Sequence, residues 1–389
     1  MSIRLRQTLE SAKKLPLYQG KLEHADLDSS DLSSLPFTTR ADLAAAFAGH
    51  QNGGFDTARA SLVHLTPAPG GWMPEFLSAS DLETQAEATA EMFKRVGIGP
   101  GSRVIVAFGY HVFAGGWLFH DALVRAGATV LPHGPGEAER FATIAREHHF
   151  DVLIANPTFA LRLAELGARF KLLIAAGEPF SSVPGFRERV EAAVEGQAID
   201  CFGMSETGIV AAETLNRDGL EPLPGMAILE VIDPQTLEPT PDGEKGELVV
   251  TTLARELMPL VRFRTGDLTV VQRLPDGSIR LPRGVIGRVD EMLKVKGVKL
   301  YPKELGPILA SIPGLDAKQY QLHVSRTASG TDSLELRVVG DSSADLGPLE
   351  ARFRAALGIN MNSVQVLESL EGPMVTDSRS EERRVGKEC

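Results

Sequence analysis

The chain has 389 residues, of which 43% are hydrophobic and 23% charged, which is the composition of a globular protein long enough for two domains. Its formal net charge of −11 argues against nucleic acid and anionic membranes as partners, because both attract positively charged surfaces. Cys201 and Cys389 are its two cysteines, so neither a disulfide framework nor a cysteine-rich zinc site is expected.

Residues 1–60 are predicted to form short helices and loops. Residues 1–14 alternate charged and apolar side chains and lack the apolar core of a signal peptide. No apolar run in the chain reaches about 18 residues, the length that a membrane span needs. We therefore expect a cytoplasmic protein with no membrane partner. Residues 35–42 predict a turn into a helix that is capped by Thr38 or Thr39.

From residue 104 onward, short apolar segments alternate with helical ones, which is typical of a parallel sheet with helices on its faces. Residues 152–155 are apolar at every position, as expected for a strand that is covered on both sides. The predicted strands are 104–108, 128–131, 151–155, 171–176 and 198–202, and the predicted helices are 115–125, 138–148, 158–166 and 183–194.

The pattern changes twice after Gly225. Pro-Asp-Gly turns at 241–243 and 275–277 predict an antiparallel subdomain, and residues from 288 onward predict a small α+β domain. The fold class is therefore α/β, with a large N-terminal domain over 1–286 and a small C-terminal domain over 287–378. The strands expected are 227–232, 246–252, 268–274, 278–281, 319–325, 333–340 and 363–368, with helices at 302–311 and 346–357.

Residues 379–389 look like a translated sequencing adapter, since they show no apolar periodicity and follow an unfinished domain. A charged, disordered natural tail is the alternative interpretation. On the first interpretation, the C-terminal domain is truncated.

Two loops follow predicted strands of the parallel sheet, at the edge where ligands of such sheets bind. They are residues 176–179, with the sequence Ala-Gly-Glu-Pro, and residues 202–208, with the sequence Phe-Gly-Met-Ser-Glu-Thr-Gly. By themselves these glycines and the proline predict tight turns, and a solvent-exposed Glu206 is the plain alternative to a site.

Two later segments make it more specific to interpret these loops as a ligand site. Residues 258–267 place Arg262, Arg264 and Asp267 after an apolar segment, and residues 287–297 open the last domain. Together with residues 202–208, they resemble the signature segments of adenylate-forming enzymes. Over about residues 16–375, segments 35–42, 107–116, 177–179, 246–267 and 287–302 are similar to the phenylacetate–coenzyme A ligase branch.

The resemblance implies an acid–thiol ligase that activates a carboxylic acid with ATP and Mg²⁺ and passes the acyl group from an acyl-adenylate to coenzyme A. In this family the small domain turns between the two half-reactions, and Asp290 is implied as the hinge. The implied AMP- or ATP-binding residues are Gly177, Glu178, Pro179, Phe202, Gly203, Met204, Asp267 and Arg288.

Individual roles follow from the same resemblance. Phe202 would stack on adenine, where family members more often have Tyr, and Asp267 would accept both ribose hydroxyls. Arg288 would contact ribose or phosphate. The plain alternatives are a core aromatic for Phe202 and a surface ion pair for Arg288. Ser205 would lie near the AMP phosphate, and Glu206 would hold Mg²⁺, a cation that prefers oxygen ligands.

The acyl pocket is expected at the end of the first parallel strand. Aromatic and polar side chains are mixed there, as in small-ligand pockets, and an aromatic acid would suit them. The alternative is that these side chains simply pack the sheet. The predicted pocket residues are Tyr110, His111, Phe113 and Gly115.

Two departures from the family pattern concern phosphate chemistry. The family's Ser/Thr/Gly-rich phosphate loop ends in lysine, whereas residues 64–74 contain no lysine and carry Pro67 and Pro69, which lack a backbone donor. The family's catalytic lysine would fall at or beyond Arg379, and Lys387 is not assigned to that role. The chain as it stands is therefore expected to be poor at adenylation.

Three functions stay open at this stage. The first is the acid–thiol ligase, whose partners are a small carboxylic acid, ATP and coenzyme A. The second is an adenylating enzyme of secondary metabolism with a carrier protein or an amine as acceptor. The third is a nucleotide- or acyl-binding protein that has lost adenylation. The oligomeric state is open as well, with a homodimer as one option.

Overall fold

A computed structural model describes residues 3–23, 26, 31–68, 71–275, 277–289, 293–295, 298–300, 302, 305–327, 332–357 and 359–378. Residues 379–389 and Asp290 lie outside these ranges, as do Pro69 and Gly70 of the phosphate-loop segment. The chain divides into two compact units, Met1–Ile286 and Gly287–Cys389. Within the described ranges, none of the helices combines the length and the apolar character that crossing a membrane requires.

The first unit contains seven α-helices and three short 3₁₀ turns within its described residues. The helices are α1 (Ile3–Ala12), α2 (Arg40–Gly49), α3 (Ala79–Arg95), α4 (Ala114–Ala126), α5 (Ala138–Glu147), α6 (Pro157–Glu165) and α7 (Phe186–Val194). The strands are β1 (Leu62–Ala68), β2 (Gly71–Leu77), β3 (Arg103–Val106), β4 (Thr129–Leu131), β5 (Val152–Ala155), β6 (Leu172–Ala175), β7 (Gln197–Met204), β8 (Gly208–Ala212), β9 (Glu221–Pro222), β10 (Ala227–Ile232), β11 (Lys245–Thr252), β12 (Phe263–Val270), β13 (Gln272–Arg273), β14 (Ile279–Arg280) and β15 (Val285–Arg288).

A seven-stranded sheet in the order β4-β3-β5-β6-β7-β8-β9 forms the centre of the first unit. Strands β3 to β7 are parallel, and β8 and β9 are antiparallel. Along β5, Val152 and Ile154 belong to one hydrophobic cluster, whereas Leu153 and Ala155 belong to another on the opposite face. Every side chain of β5 is therefore buried, which confirms the predicted parallel strand covered on both sides.

The second sheet has the order β10-β11-β12-β15, with β10 and β11 in antiparallel register from Ala227 opposite Thr252. The predicted strand 268–274 is confirmed in part, because the structure has strands at Phe263–Val270 and Gln272–Arg273, so the first of them begins five residues earlier than predicted. Phe263 lies opposite Val250 on β11 and also bridges to Thr38, so tertiary pairing moves the strand toward the N-terminus. Strands β13 and β14 form a separate short hairpin across the predicted turn, of which Asp276 is outside the described residues.

Two helix starts show how local sequence sets the geometry near the site. Thr39 caps α2 in a capping box with Asp42, which confirms Thr39 as one of the two predicted caps. Ser78 and Asp81 form the same motif at the start of α3, a 17-residue helix that the sequence analysis did not predict. Strands β1 and β2 form an antiparallel hairpin over the phosphate-loop segment, which was also not predicted.

The second unit has an α+β architecture, as predicted. Its sheet has the order β20-β19-β18-β21, and Leu322, Leu336 and Phe353 lie in its hydrophobic core. The elements are β16 (Leu293–Val295), β17 (Val298–Leu300), α8 (Leu305–Ala310), β18 (Leu315–Arg326), β19 (Asp332–Gly340), α9 (Gly347–Leu357), β20 (Ser363–Leu367) and β21 (Val375–Asp377).

Candidate active site

The turn between β7 and β8 carries the predicted catalytic residues. Ser205 is half-buried and Glu206 is buried, so the alternative of a solvent-exposed Glu206 does not apply. The Glu206 carboxylate pairs with the guanidinium of Arg40, the first residue of α2. The Glu206 side chain is 3% exposed and that of Arg40 38%, so a solvent-accessible cation covers a buried carboxylate.

A second arginine, which the sequence analysis did not single out, lies behind the same turn. Arg255 is buried, and its Nη2 donates a hydrogen bond to the Ser205 carbonyl oxygen at 2.5 Å. The same nitrogen lies 3.9 Å from Oε2 of Glu75, which is also buried. The available signals were a charged residue directly after residues 64–74 for Glu75, and membership of the family-like segment 246–267 for Arg255.

Glu75 and His64 face each other across the β1–β2 hairpin, and both are buried. Burial raises the pKa of Glu75 to about 8, and the charge of Glu206 adds to this effect, whereas Arg255 and Arg40 oppose it. Burial lowers the pKa of His64 to about 4, with a smaller contribution from Arg255. In the part of the chain that the structure describes, Glu75 Oε1 and His64 Nε2 have no hydrogen-bond partner.

The free energy of unfolding of Glu75→Gln, relative to that of the wild type, is expected to increase as pH rises from about 5 to about 8. In this window an unfolded carboxyl ionises while the folded one keeps its proton, so the wild type loses up to about 1.4 kcal/mol per pH unit. Above the folded pKa the difference should level off. Urea unfolding across this range measures it, with the exposed Glu139→Gln as control. A pH-independent difference between Glu75→Gln and wild type would contradict the expectation.

A cavity of about 190 Å³ adjoins the turn. It brings together the loop after β3, the loop after β6 and the end of β7, and no charged side chain is among the described residues that line it. Gly177 has a φ of +82°, and a Cβ there would lie 3.4 Å from the Phe108 ring, so glycine suits this position in two ways. The lining residues are Phe108, Ala114, Gly115, Leu118, Phe119, Ala176, Gly177, Cys201, Gly203, Met204, Ser205 and Ile209.

Among the four predicted acyl-pocket residues, Gly115 lines this cavity and the other three lie elsewhere. Tyr110 packs edge-on against Trp117 and His120, which agrees with the alternative that these side chains pack the sheet. Phe113 is 42% exposed and contacts Trp72, and His111 is exposed. Phe108 and Phe119, stacked with ring centroids 5.5 Å apart, provide aromatic walls that the sequence analysis did not name.

The predicted adenine-binding residues lie on the loop after β6 and on the last part of β7. The Thr158 hydroxyl donates to the Glu178 carboxylate at 2.7 Å, which holds Glu178 near the start of α6, and Pro179 is half-buried. Phe202 is half-buried at the end of β7 and packs beside a hydrophobic cluster that includes Val210 and Leu248.

The predicted ribose-binding residue, Asp267, is buried on β12. Its strand connects to the Glu206 turn through α2, because Arg264 N donates to the Thr38 carbonyl at 2.8 Å and Arg40 pairs with Glu206. Arg264 itself pairs with Glu247. Arg288 ends β15 and belongs to the second compact unit, so its contact with nucleotide stays a prediction.

Residues 107–254, which carry the β7–β8 turn and all the residues that line the cavity, match the family described as AMP-binding enzyme. The chain is 29% identical to the phenylacetate-coenzyme A ligase of Escherichia coli (strain K12), over 99% of this chain and 92% of that protein. It is 31% identical to the phenylacetate-coenzyme A ligase of Aromatoleum evansii, over 83% of this chain and 75% of that protein.

A crystal structure of 2-hydroxyisobutyryl-CoA ligase, in the postadenylation state with 2-HIB-AMP, has a TM-score of 0.80 and 26% identity. The similarity covers 99% of this chain and 90% of that one. Fold and sequence agree on the class, an AMP-binding enzyme. Within that class, the chain belongs to the phenylacetate–coenzyme A ligase family, and the predicted family and fold class are confirmed.

Proposed function

We propose that this enzyme activates a carboxylic acid with ATP to an acyl-adenylate and then transfers the acyl group to coenzyme A. The observation that carries the proposal is the position of the 190 Å³ cavity, which is lined mainly by apolar residues and includes Ser205, the neighbour of the buried Glu206, in its wall. A carboxylic acid in this cavity would place its apolar part against Phe108 and Phe119. Relatives named phenylacetate-coenzyme A ligases support the same reaction type.

The cavity favours a monocarboxylic acid with a compact apolar group, and an aryl group fits its two aromatic walls. A second carboxylate or an ammonium on the acid would meet no charged partner among the described lining residues. We therefore propose an aromatic acid of the phenylacetate type as substrate.

Glu206 is the proposed Mg²⁺ ligand. Mg²⁺ in nucleotide sites is usually held by one or two carboxylates together with substrate phosphates, and it neutralises charge that develops on the phosphate. No group of three acidic, histidine or cysteine side chains that could hold a metal exists among the described residues, which fits this shared type of site. Because Arg40 is partly exposed, it can leave the carboxylate when the metal arrives.

Thioester formation is the direct test of the proposal. Purified protein is incubated with ATP, Mg²⁺, coenzyme A and a panel of aryl and alkyl acids, and acyl-coenzyme A is measured by mass. ATP–pyrophosphate exchange is measured in parallel without coenzyme A. Exchange with product release that depends on an amine or a carrier protein would favour the secondary-metabolism alternative.

One observation favours a different function, that of a nucleotide- or acyl-binding protein without adenylation. Strands β1 and β2 form a regular hairpin over the phosphate-loop segment, Pro67 lies opposite Trp72, and no lysine occurs in residues 62–77. Retained AMP binding without pyrophosphate exchange for any acid would select this candidate.

Asp267→Ala is expected to weaken AMP binding at least about a hundredfold. The proposed role, a carboxylate that accepts two ribose hydroxyls, corresponds to hydrogen bonds worth about 1.5–3 kcal/mol each when one partner is charged. Isothermal titration calorimetry with AMP measures the loss. Asp242→Ala is the control, because Asp242 forms an exposed ion pair with Arg273. Equal AMP affinity in wild type and Asp267→Ala would remove the ribose assignment.

A further inference from the structure

Arg255 contacts the β7–β8 turn and lies close to acidic residues of two other elements, β2 and α3. Its side chain is 2% exposed, so the guanidinium is a buried charge and not a surface charge. Its Nη2 donates to the carbonyl oxygen of Ser205, the residue before Glu206. The carboxylates of Asp81 on α3 and Glu206 act electrostatically on the guanidinium, and the carboxyl of Glu75 on β2 joins them once it ionises above its raised pKa.

The three carboxylates are not equivalent partners. Asp81 is engaged by backbone donors, accepting from Ser78 N at 2.9 Å and from Glu256 N at 2.5 Å. Glu206 pairs with Arg40. Glu75 lies 3.9 Å from Nη2, which is beyond hydrogen-bonding distance. The hydrogen bond of the buried Arg255 guanidinium is therefore made to the backbone of the turn, at the Ser205 carbonyl oxygen.

The hydrogen bond from Arg255 to the Ser205 carbonyl matters because Arg40, the ion-pair partner of Glu206, is partly exposed and can move away. When Arg40 moves away, the direction of Glu206 depends on how firmly the backbone of the turn is held. A charge-assisted bond at the preceding carbonyl restricts that backbone, and catalytic groups need positions held within about 0.5 Å. At the other end of the turn, a Cβ on Gly208 would meet Gln85 Oε1 at 2.3 Å, so α3 packs closely there as well.

We infer that Arg255 is a positioning residue for adenylation, which holds the Ser205 carbonyl oxygen so that Glu206 keeps its direction toward the nucleotide-bound metal ion. The inference rests on the proposed function. Arg255 touches neither substrate nor metal in this scheme and acts through the turn. No residue between His64 and Leu77 provides a cation, so the positive charge at this turn comes from outside the phosphate-loop segment.

Three substitutions separate charge, hydrogen bonding and packing. Arg255→Lys keeps the charge and a donor, Arg255→Gln keeps a donor without the charge, and Arg255→Met keeps neither. Arg187→Lys and Arg187→Met are matched controls, because Arg187 also bonds a backbone carbonyl, that of Ala198, and pairs with the buried Glu213. All variants are measured for thermal midpoint, for kcat and KM with ATP, and for the Mg²⁺ concentration that gives half-maximal thioester formation.

Arg255→Met is expected to lower kcat at least tenfold and to raise the Mg²⁺ midpoint at least fivefold, with KM for the acid within about twofold of wild type. Arg255→Gln should be intermediate, and Arg255→Lys should recover most of the loss. The Arg187 variants should change the thermal midpoint alone. If Arg255→Met does not fold, Arg255→Gln and Arg255→Lys carry the comparison.

A kcat and an Mg²⁺ midpoint within twofold of wild type in the Arg255 variants would overturn the inference while leaving the proposed function intact. The same holds if the variants lose only stability, in the manner of the Arg187 controls. Absence of thioester formation by the wild type with every acid would instead overturn the proposed function, and this inference with it.

Discussion

Glu206→Gln should reduce thioester formation about a hundredfold and shift the remaining activity to higher Mg²⁺ concentrations. The substitution keeps the volume of the side chain and removes the negative charge that a hard cation requires. Since the side chain is 3% exposed, water has little room to replace the lost carboxylate oxygen. The fold should tolerate the change, because Arg40 is 38% exposed and can be solvated after losing its partner.

The measurement is the rate of acyl-coenzyme A formation over a series of Mg²⁺ concentrations. Glu139→Gln is the matched control, because Glu139 forms an exposed ion pair with Arg162 that is expected to contribute little. Turnover of Glu206→Gln with the same Mg²⁺ midpoint as wild type would eliminate the metal-binding role.

Gly203→Ala should lower activity at least tenfold and destabilise the protein by about 1–3 kcal/mol. A Cβ at this position would lie 2.8 Å from the Gly208 carbonyl oxygen and 2.9 Å from the Ile209 Cα. Both atoms belong to the backbone at the far end of the β7–β8 turn, so no side chain can move aside. Because Gly203 and Ile209 both line the cavity, a shift of this backbone would also change the cavity wall.

Thermal unfolding and thioester assays measure both effects. Gly49→Ala is the control, because a Cβ on Gly49 meets no atom within 4 Å. Alanine at the end of a helix should leave stability equal or slightly higher. Wild-type activity and stability in Gly203→Ala would show that the backbone of the turn can yield, and that the close packing is not needed.

The parallel part of the fold could be predicted because its signal is local. Residues 152–155 and 171–176 are apolar at nearly every position, and a covered parallel strand needs this pattern. The structure has strands there at Val152–Ala155 and Leu172–Ala175. Helix α3 was also within reach, since the Ser78 and Asp81 capping box precedes a helical pattern.

Strand β12 could not be predicted in the same way. Its polar residues hide the alternation of a strand, since Arg264 and Asp267 suggest an exposed loop. Arg264 is accommodated by Glu247 of β11 at 2.6 Å, and Asp267 is buried. A strand whose charges are satisfied by distant partners carries no local hydrophobic signal.

In the candidate site too, some residues could be predicted from the sequence and others could not. The family resemblance named Gly177, Gly203, Met204 and Ser205, and these residues line one cavity together with Gly115. The aromatic residues named for the acyl pocket were chosen by their composition and by their position after the first parallel strand. Three-dimensional packing directs Tyr110 toward Trp117 and His120 instead, and brings Phe108 and Phe119 to the cavity.

The sequence by itself determined the family and the α/β fold class, and it predicted the short segments proposed to carry the reaction, because these depend on local patterns and on the order of motifs along the chain. Only the tertiary structure decided that Glu206 is buried under Arg40 and that Arg255 lies behind Ser205. The physical reason is that burial of a charge is settled by partners far away in the chain, here 166 residues for Arg40 and 50 residues for Arg255.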